Sequence, residues 1–373
     1  NMKKLKIITI LGTRPEIIRL SKLIKLLDKE VDHKLLHTGQ NYDYELNQIF
    51  FNDLGINKPK FQLSIKKNKS AVENISKILT NVEKIFIKER PDAAIVLGDT
   101  NSCLSAYAAK RLKIPIFHIE AGNRCYDQRV PEEINRRIID HISDINITYS
   151  ERAKENLLRE NISPDTIFKI GSPLYEVYQS YLEDINDSKI LKKLSLEKEK
   201  YFLISVHREE NLDNKNNFDK FLNLLFYLEK RNKEKIIVST HPRTIKRLKK
   251  IDIKRFNKII FAKPFSYTDY CSLQVNSKIV FSDSGSITEE ANIMKFKAIN
   301  LRNTNERQEG MNYGAVPMVH FNIERIKNLI QYFENKKSDT DIIKDYVSPN
   351  FSKIFYTILI SYIDYVNQNT WKK

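Results

Sequence analysis

The amino-acid sequence predicts two doubly wound α/β domains in tandem. Three observations carry this: short apolar runs alternating with amphipathic stretches, a polar break at mid-chain, and a second alternating series after it. Short runs rich in Ile, Val and Leu suit strands buried on both faces of a parallel sheet. In the first half, strands read at 6–11, 34–37, 94–97, 114–119, 144–148 and 166–170, with helices at 17–27, 44–54, 72–88 and 131–142. Residues 182–200 are polar and charged, with few core positions, and read as a linker. Strands recur at 202–206, 236–240, 259–261, 279–282 and 298–301, with helices such as 220–230 and 286–294 between them. The last helix, 352–367, is long enough to cross back over the first domain. The expected division is 1–183 together with helix 352–373, and 184–351.

A chain of 373 residues is long enough for two or three cores. No run approaches the ~18 apolar residues of a membrane span, and Met2 leads straight into a strand rather than a leader. No membrane partner is expected, and the protein is expected in the cytoplasm. The net charge of +16 raises a nucleic-acid partner as a reading. Against it, the lysines are spread over polar helix faces, and the short basic clusters at 192–193 and 246–250 lack interleaved aromatics. No nucleic-acid partner is expected. Cys103, Cys125 and Cys271 show no CxxC spacing and no nearby His pair, so no metal site is expected, and an odd count fits a reducing compartment.

Two acids stand at the ends of consecutive buried strands. The strand at 94–97 runs into Gly98-Asp99-Thr100, and the strand at 114–119 runs into Glu120-Ala121-Gly122. The helix-like stretch 102–112 between them makes a βαβ unit, with parallel strands and a right-handed crossover. Both carboxylates then emerge at the carboxyl edge, where open α/β sheets bind ligands. Neighbouring carboxylates tend to take unlike pKa values, which suits acid/base work. The plainer reading is a pair of loop caps. Pro131-Glu132-Glu133-Ile134-Asn135-Arg136 opens a helix, where acids usually complement the dipole; the alternative is a third carboxylate facing a ligand cleft.

Anion signals follow other strands. Arg14, beside a helix start with Pro15 in its first turn, makes a cationic spot. Ser284, Gly285 and Ser286 bring hydroxyls and backbone N–H groups together before a helix, as a pyrophosphate requires, with Glu290 further along for a ribose diol. His207-Arg208 and His241-Pro242-Arg243 end the next two strands, where a histidine can bridge a phosphate or relay a proton. His33, His37, His118, His141 and His320 read as structural. A ligand cleft between the two carboxyl edges is expected.

Taken together, GTRPE at 12–16, HTGQNYD at 37–43, GDT at 98–100, EAGNR at 120–124, PEEINR at 131–136, HREEN at 207–211 and DSGSITEE at 283–290 resemble the non-hydrolysing UDP-N-acetylglucosamine 2-epimerases in collinear order. Residues 41–51, with Asn101-Ser102-Cys103 and Gly122-Asn123-Arg124-Cys125, look most like a branch of capsule and O-antigen enzymes. That branch makes UDP-N-acetyl-L-fucosamine from UDP-2-acetamido-2,6-dideoxy-L-talose.

The resemblance implies a GT-B fold of two Rossmann-like domains with an interdomain active-site cleft. It implies a UDP-sugar substrate, no added cofactor because UDP belongs to the substrate and is retained, and a homodimer. The implied reaction removes the C2 proton and expels UDP, then re-adds UDP with a proton delivered to the opposite face. The family's catalytic residues map to Asp99, Glu120, Glu132 and His207. Its UDP contacts map to Arg14, Pro15, Arg19, Gln40, His207, Arg208, Tyr270, Ser284, Gly285, Ser286 and Glu290, with Tyr270 near the uracil. Its sugar contacts map to Asn101, Arg136, His241 and Arg307.

Arg19 stands where many members carry Lys, Ser286 replaces a usual glycine, and Gln308 replaces a usual proline. These departures bear on the sugar more than on the chemistry. A UDP-GlcNAc 2-epimerase making UDP-ManNAc is the alternative, and a GT-B glycosyltransferase a further one. An oxidative epimerase would need a dinucleotide fingerprint, which the sequence lacks.

Overall fold

A computed structural model describes residues 4–39, 50–64, 70–231, 233–240, 242–248, 256–335 and 341–373. The chain divides into two compact units: Asn1–Gln179 with Lys344–Lys373, and Ser180–Ile343.

Unit 1 holds β1 (Lys6–Leu11), β2 (Asp32–His37), β3 (Phe61–Gln62), β4 (Ala93–Leu97), β5 (Ile116–Ile119), β6 (Ile145–Thr148) and β7 (Ile167–Lys169). All pair in parallel, in the order β3-β2-β1-β4-β5-β6-β7. The order reverses between β1 and β4, which makes their carboxyl ends a switch point. The two-residue β3 was not expected from the sequence, because it is too short to show a period. Ile8, Ile10, Ala94, Val96 and Ile116 are fully or almost fully buried, as strands covered on both faces must be.

The first helix, Arg14–Glu30, starts with Pro15 in its first turn and Glu16 at the third position. Helix Ala71–Glu89 is capped by Ser70, whose hydroxyl accepts the Glu73 N–H at 3.3 Å. The expected 102–112 helix is a 3₁₀ turn, Asn101–Ser105, continuing as an α-helix, Ala106–Arg111. The helix expected over 44–54 falls mostly outside the described residues; residues 50–53 are helical. The final helix, Phe351–Asn369, packs on the first helix and sets Phe355 edge-on to Phe117 of β5, centroids 6.2 Å apart.

Unit 2 repeats the plan with β8 (Tyr201–Ser205), β9 (Lys235–Ser239), β10 (Ile259–Ala262), β11 (Ile279–Ser282) and β12 (Ala298–Asn300). All are parallel, in the order β10-β9-β8-β11-β12, so the reversal falls between β8 and β11. Phe202, Ile204, Phe221, Ile236 and Phe281 fill the core under helices Lys215–Arg231 and Ile323–Asn335.

The stretch read as a linker is not one. Residues 182–200 form two short helices, Leu182–Asp187 and Ile190–Lys193, and bury Ile185, Ile190 and Leu196. Both pack on helix Tyr267–Asn276. Three apolar residues scattered among charges are enough to dock short helices, yet too sparse to show a period.

Candidate active site

At the switch point of unit 1, Glu16 clasps the ends of β1 and β4. Its Oε2 accepts the N–H groups of Gly12 at 2.6 Å and Thr13 at 2.8 Å, and its Oε1 accepts the Thr100 hydroxyl at 2.7 Å. Burial raises its pKa, and the three donors oppose that without cancelling it. Gly12 must be glycine for space: a Cβ there would lie 2.1 Å from Ser102 Oγ and 2.4 Å from Thr38 Oγ1. Arg14 and Pro15 are thereby fixed at the helix start, with the Arg14 guanidinium 4.9 Å above the Phe50 ring.

Asp99 and Glu120 do leave the same edge, since β4 and β5 pair with Leu97 opposite Ile119. Asp99 Oδ2 accepts both Nε and Nη2 of Arg136, at 3.0 and 2.7 Å. Asn135 Nδ2 donates to the Asp99 carbonyl at 2.9 Å and to Asn101 Oδ1 at 3.1 Å. Helix Pro131–Ile142 therefore carries the partners that aim Asp99. Glu120 sits at φ +70°, a strained setting for a non-glycine residue. Its Oε2 is 3.7 Å from Arg19 Nε, and its Oε1 is 3.6 Å from where a Cβ on Gly98 would stand, so the side chain folds over the Gly98 turn.

The two acids of the PEEINR segment separate. Glu133 is fully buried; it accepts the Cys125 and Tyr126 N–H groups at 3.0 and 3.1 Å and Arg136 Nη1 at 2.9 Å. Burial pushes its pKa up, but these donors and Arg136 hold it below the usual range. Glu132 is half-buried, with no hydrogen bond or ion pair to another described residue. Glu133 is thus an anchor, and Glu132 remains available for chemistry.

Beneath this edge, fully buried His118 donates through Nε2 to the Gly98 carbonyl at 2.8 Å, and its Nδ1 lies 3.0 Å from Asp140 Oδ1. Burial depresses an imidazole, yet here Asp140 and the carbonyl overcome it and the pKa is raised. Asp140 also accepts Arg124 Nη1 at 2.6 Å, and Arg124 reaches Glu160. The EAGNR arginine is therefore a buried strut behind Glu120.

At the switch point of unit 2 the clasp is Asp283, fully buried. It accepts the His207 and Arg208 N–H groups at 3.1 and 3.0 Å and Asn211 Nδ2 at 2.9 Å. Its Oδ1 lies 3.1 Å from His207 Nδ1. Burial would raise its pKa, but the imidazole and these donors pull it well below the usual range.

Beyond it, Ser284 Oγ and Ser286 Oγ are 2.9 Å apart, and the Ser286 hydroxyl donates to Glu290 Oε1. Glu290 Oε2 accepts Gln274 Nε2 at 2.9 Å. Tyr270 is one helical turn from Gln274 on helix Tyr267–Asn276, so both lie on the face turned to Glu290. Gly285 again has no room for a side chain: a Cβ would stand 2.3 Å from Glu306 Oε1, 3.2 Å from Arg208 Nη2 and 3.4 Å from Arg302 Nη1. Arg302 pairs with Glu306 at 2.7 Å, and Arg307 with Glu289 at 2.8 Å, all four buried. Two guanidiniums and a cradle of hydroxyls and N–H groups so surround Gly285, the donor set an anionic diphosphate needs.

Gln40 and His241 lie outside the described residues. Sequence reasoning gave no role to Glu16, Gln274, Asp283, Arg302 or Glu306, and read Glu133 only with Glu132, as helix-start acids. Glu16 had a signal, a Thr followed three residues later by Glu at a helix start.

The UDP-N-acetylglucosamine 2-epimerase family model matches residues 25–359. A curated UDP-N-acetylglucosamine 2-epimerase of Methanocaldococcus jannaschii is 37% identical, covering 89% of this chain and 93% of its own. The solved structure of a UDP-N-acetylglucosamine 2-epimerase from Rickettsia bellii is 47% identical over 99% of this chain and 100% of its own, with TM-score 0.92. A Methanocaldococcus jannaschii UDP-GlcNAc 2-epimerase solved in complex with UDP-GlcNAc and UDP is 36% identical over 96% of this chain and 100% of its own, with TM-score 0.90. A match spanning both units at these identities fixes the relationship: the chain belongs to the UDP-N-acetylglucosamine 2-epimerase family, a family of isomerases.

Proposed function

We propose that this protein inverts C2 of a UDP-2-acetamido-hexose by eliminating and re-adding UDP. The observation that carries the reading is the pair Asp99 and Glu120, set on one sheet edge by β4 and β5 and each beside a guanidinium. One carboxylate takes the C2 proton; the C2–H electrons form the C1=C2 bond, and the C1–O electrons leave on the β-phosphate oxygen of UDP. UDP then attacks C1, and a second carboxylic acid of the set Asp99, Glu120 and Glu132 gives its proton to the opposite face of C2. After one turnover the base holds a proton and the acid has lost one, so the pair must exchange protons with solvent before acting again. Ser284, Gly285, Ser286 and Arg208 take the diphosphate, Glu290 the ribose and Tyr270 the uracil side. His207 stands at the leaving oxygen.

The sugar is 2-acetamido-2,6-dideoxy-L-talose, giving UDP-N-acetyl-L-fucosamine for a surface polysaccharide. The supporting observation is the residue pattern at 101–103 and 122–125, in the loops that hold Asp99 and Glu120. The second reading, UDP-GlcNAc to UDP-ManNAc, is favoured by the relatives' names. Incubation with each UDP-sugar in D2O, followed by NMR, tests both. Deuterium should enter C2 of both epimers, with higher kcat/KM for the 6-deoxy sugar. Epimerisation without deuterium at C2 overturns the mechanism; turnover of UDP-GlcNAc alone overturns the sugar assignment.

A further inference from the structure

We propose that Asp283 is a positioning residue for His207: it holds the Nδ1–H and so presents Nε2 as the ring's working nitrogen. Three observations place it there. Asp283 is fully buried at the end of β11, and its Oδ1 lies 3.1 Å from His207 Nδ1. The same carboxylate accepts the N–H groups of His207 and Arg208 and the amide of Asn211, so it cannot rotate away from the ring. His207 is the outer member, its side chain 39% exposed, while Asp283 is shut in. A carboxylate accepts only, so the nitrogen facing it carries the proton and the opposite nitrogen is left to receive or give one. In unit 1 the corresponding loops are tied by Glu16, whose hydrogen bonds among the described residues come from backbone N–H groups, a hydroxyl and a thiol.

The proposal rests on the epimerase reading for its consequence and not for its geometry. With the Nδ1–H committed, His207 gains its mobile proton at Nε2. As the C1–O bond breaks, that Nε2–H passes to the β-phosphate oxygen, and the neutral ring takes it back when UDP re-adds. The imidazolium that gives the proton, and that re-forms when the ring takes it back, is stabilised by the carboxylate behind it.

The test has two arms. Long-range ¹H–¹⁵N NMR of His-labelled protein, at a pH where the His207 ring is neutral, reads its tautomer. The expected result is Nδ1–H in the wild type, moving toward Nε2–H in Asp283→Asn, where the amide can turn its NH2 to the ring. Wild-type protein with His207 in the Nε2–H form overturns the proposal, even if Asp283→Asn does not fold. The kinetic arm is a double-mutant cycle. Asp283→Asn should cut kcat about 10²-fold with KM near wild type, and should cost less than about threefold more when added to His207→Asn. A structural role would multiply the two losses in the cycle, and that result overturns the proposal. Wild-type protein inert toward every UDP-2-acetamido sugar tried would defeat the epimerase reading while the tautomer arm still decides the dyad.

Discussion

Glu16 and Asp283 do the same job at the same place in two sheets that share one order over five strands, β3-β2-β1-β4-β5 and β10-β9-β8-β11-β12. Each is a buried carboxylate tying together the two loops at a strand-order reversal. One reaches forward from the helix after β1; the other reaches back from the end of β11. Their electrostatics differ. Glu16 is met only by neutral donors, and burial wins, raising its pKa. Asp283 faces an imidazole, and attraction wins. The rest of each edge follows the same contrast. Unit 1 presents carboxylates backed by guanidiniums; unit 2 presents hydroxyls, N–H groups and guanidiniums around a glycine. On the proposed function, the first edge moves protons and the second holds an anion.

The sharpest way to break that division is at the carboxylates. Asp99→Asn and Glu120→Gln should each lower kcat by about 10²–10⁴, while calorimetric UDP affinity stays within about twofold. A variant that loses UDP affinity as much as turnover would move its carboxylate into the binding set. On the other edge, Glu290→Gln weakens charge-assisted hydrogen bonds of the kind worth about 1.5–3 kcal/mol. UDP and UDP-sugar should both bind roughly 10- to 100-fold more weakly, with saturated kcat nearly intact. If Glu290→Gln instead abolished turnover while binding UDP normally, Glu290 would join the catalytic residues.

The smallest effects separate the two clasps by pH. Asp283 has a lowered folded pKa, so its ionisation adds stability above about pH 4, the ordinary range for Asp, and that stability is lost as pH falls through the folded value. Glu16 has a raised folded pKa, so its contribution is full below the ordinary Glu value of about 4.3 and is lost as pH rises through the folded one. Thermal unfolding of Asp283→Asn and Glu16→Gln across the range from about pH 3 to pH 8 reads this. The deficit of Asp283→Asn should grow with pH and that of Glu16→Gln should shrink, each by about 1 kcal/mol. Deficits that run in parallel would remove the contrast.

Much of this was legible in the sequence. Buried strands ending in Gly98-Asp99 and Glu120 place two acids on one sheet edge, and Ser284-Gly285-Ser286 before a helix gathers hydroxyls and N–H groups at another. What was hidden is the layer behind. A carboxylate that accepts backbone N–H groups from a loop far off in sequence looks, residue by residue, like any acid at a strand end or helix start. Asp283 reads only as part of its motif until the loop after β8 is placed beside it. Glu133 and Glu132 are adjacent in sequence, and only the helical rotation between them buries one. Arg302 becomes a partner of this edge through β11 and β12 lying side by side, and Gln274 through the packing of helix Tyr267–Asn276 against the helix that carries Glu290, neither of which a local pattern encodes. The stretch 182–200 misled for the opposite reason, since its polarity is real while its three buried apolar residues are few.

The returning helix Phe351–Asn369 sets an order of assembly. Unit 1 takes its last residues, Lys344–Lys373, from beyond unit 2, so a ribosome finishes the residues of unit 2 first. Domains tend to fold as units during synthesis. The nascent first unit must therefore wait, with Phe117 and Phe168 uncovered, until Phe355 and Tyr362 arrive to pack on them. That interval leaves aromatic surface open to chaperones, and the unit encoded first is the one completed last.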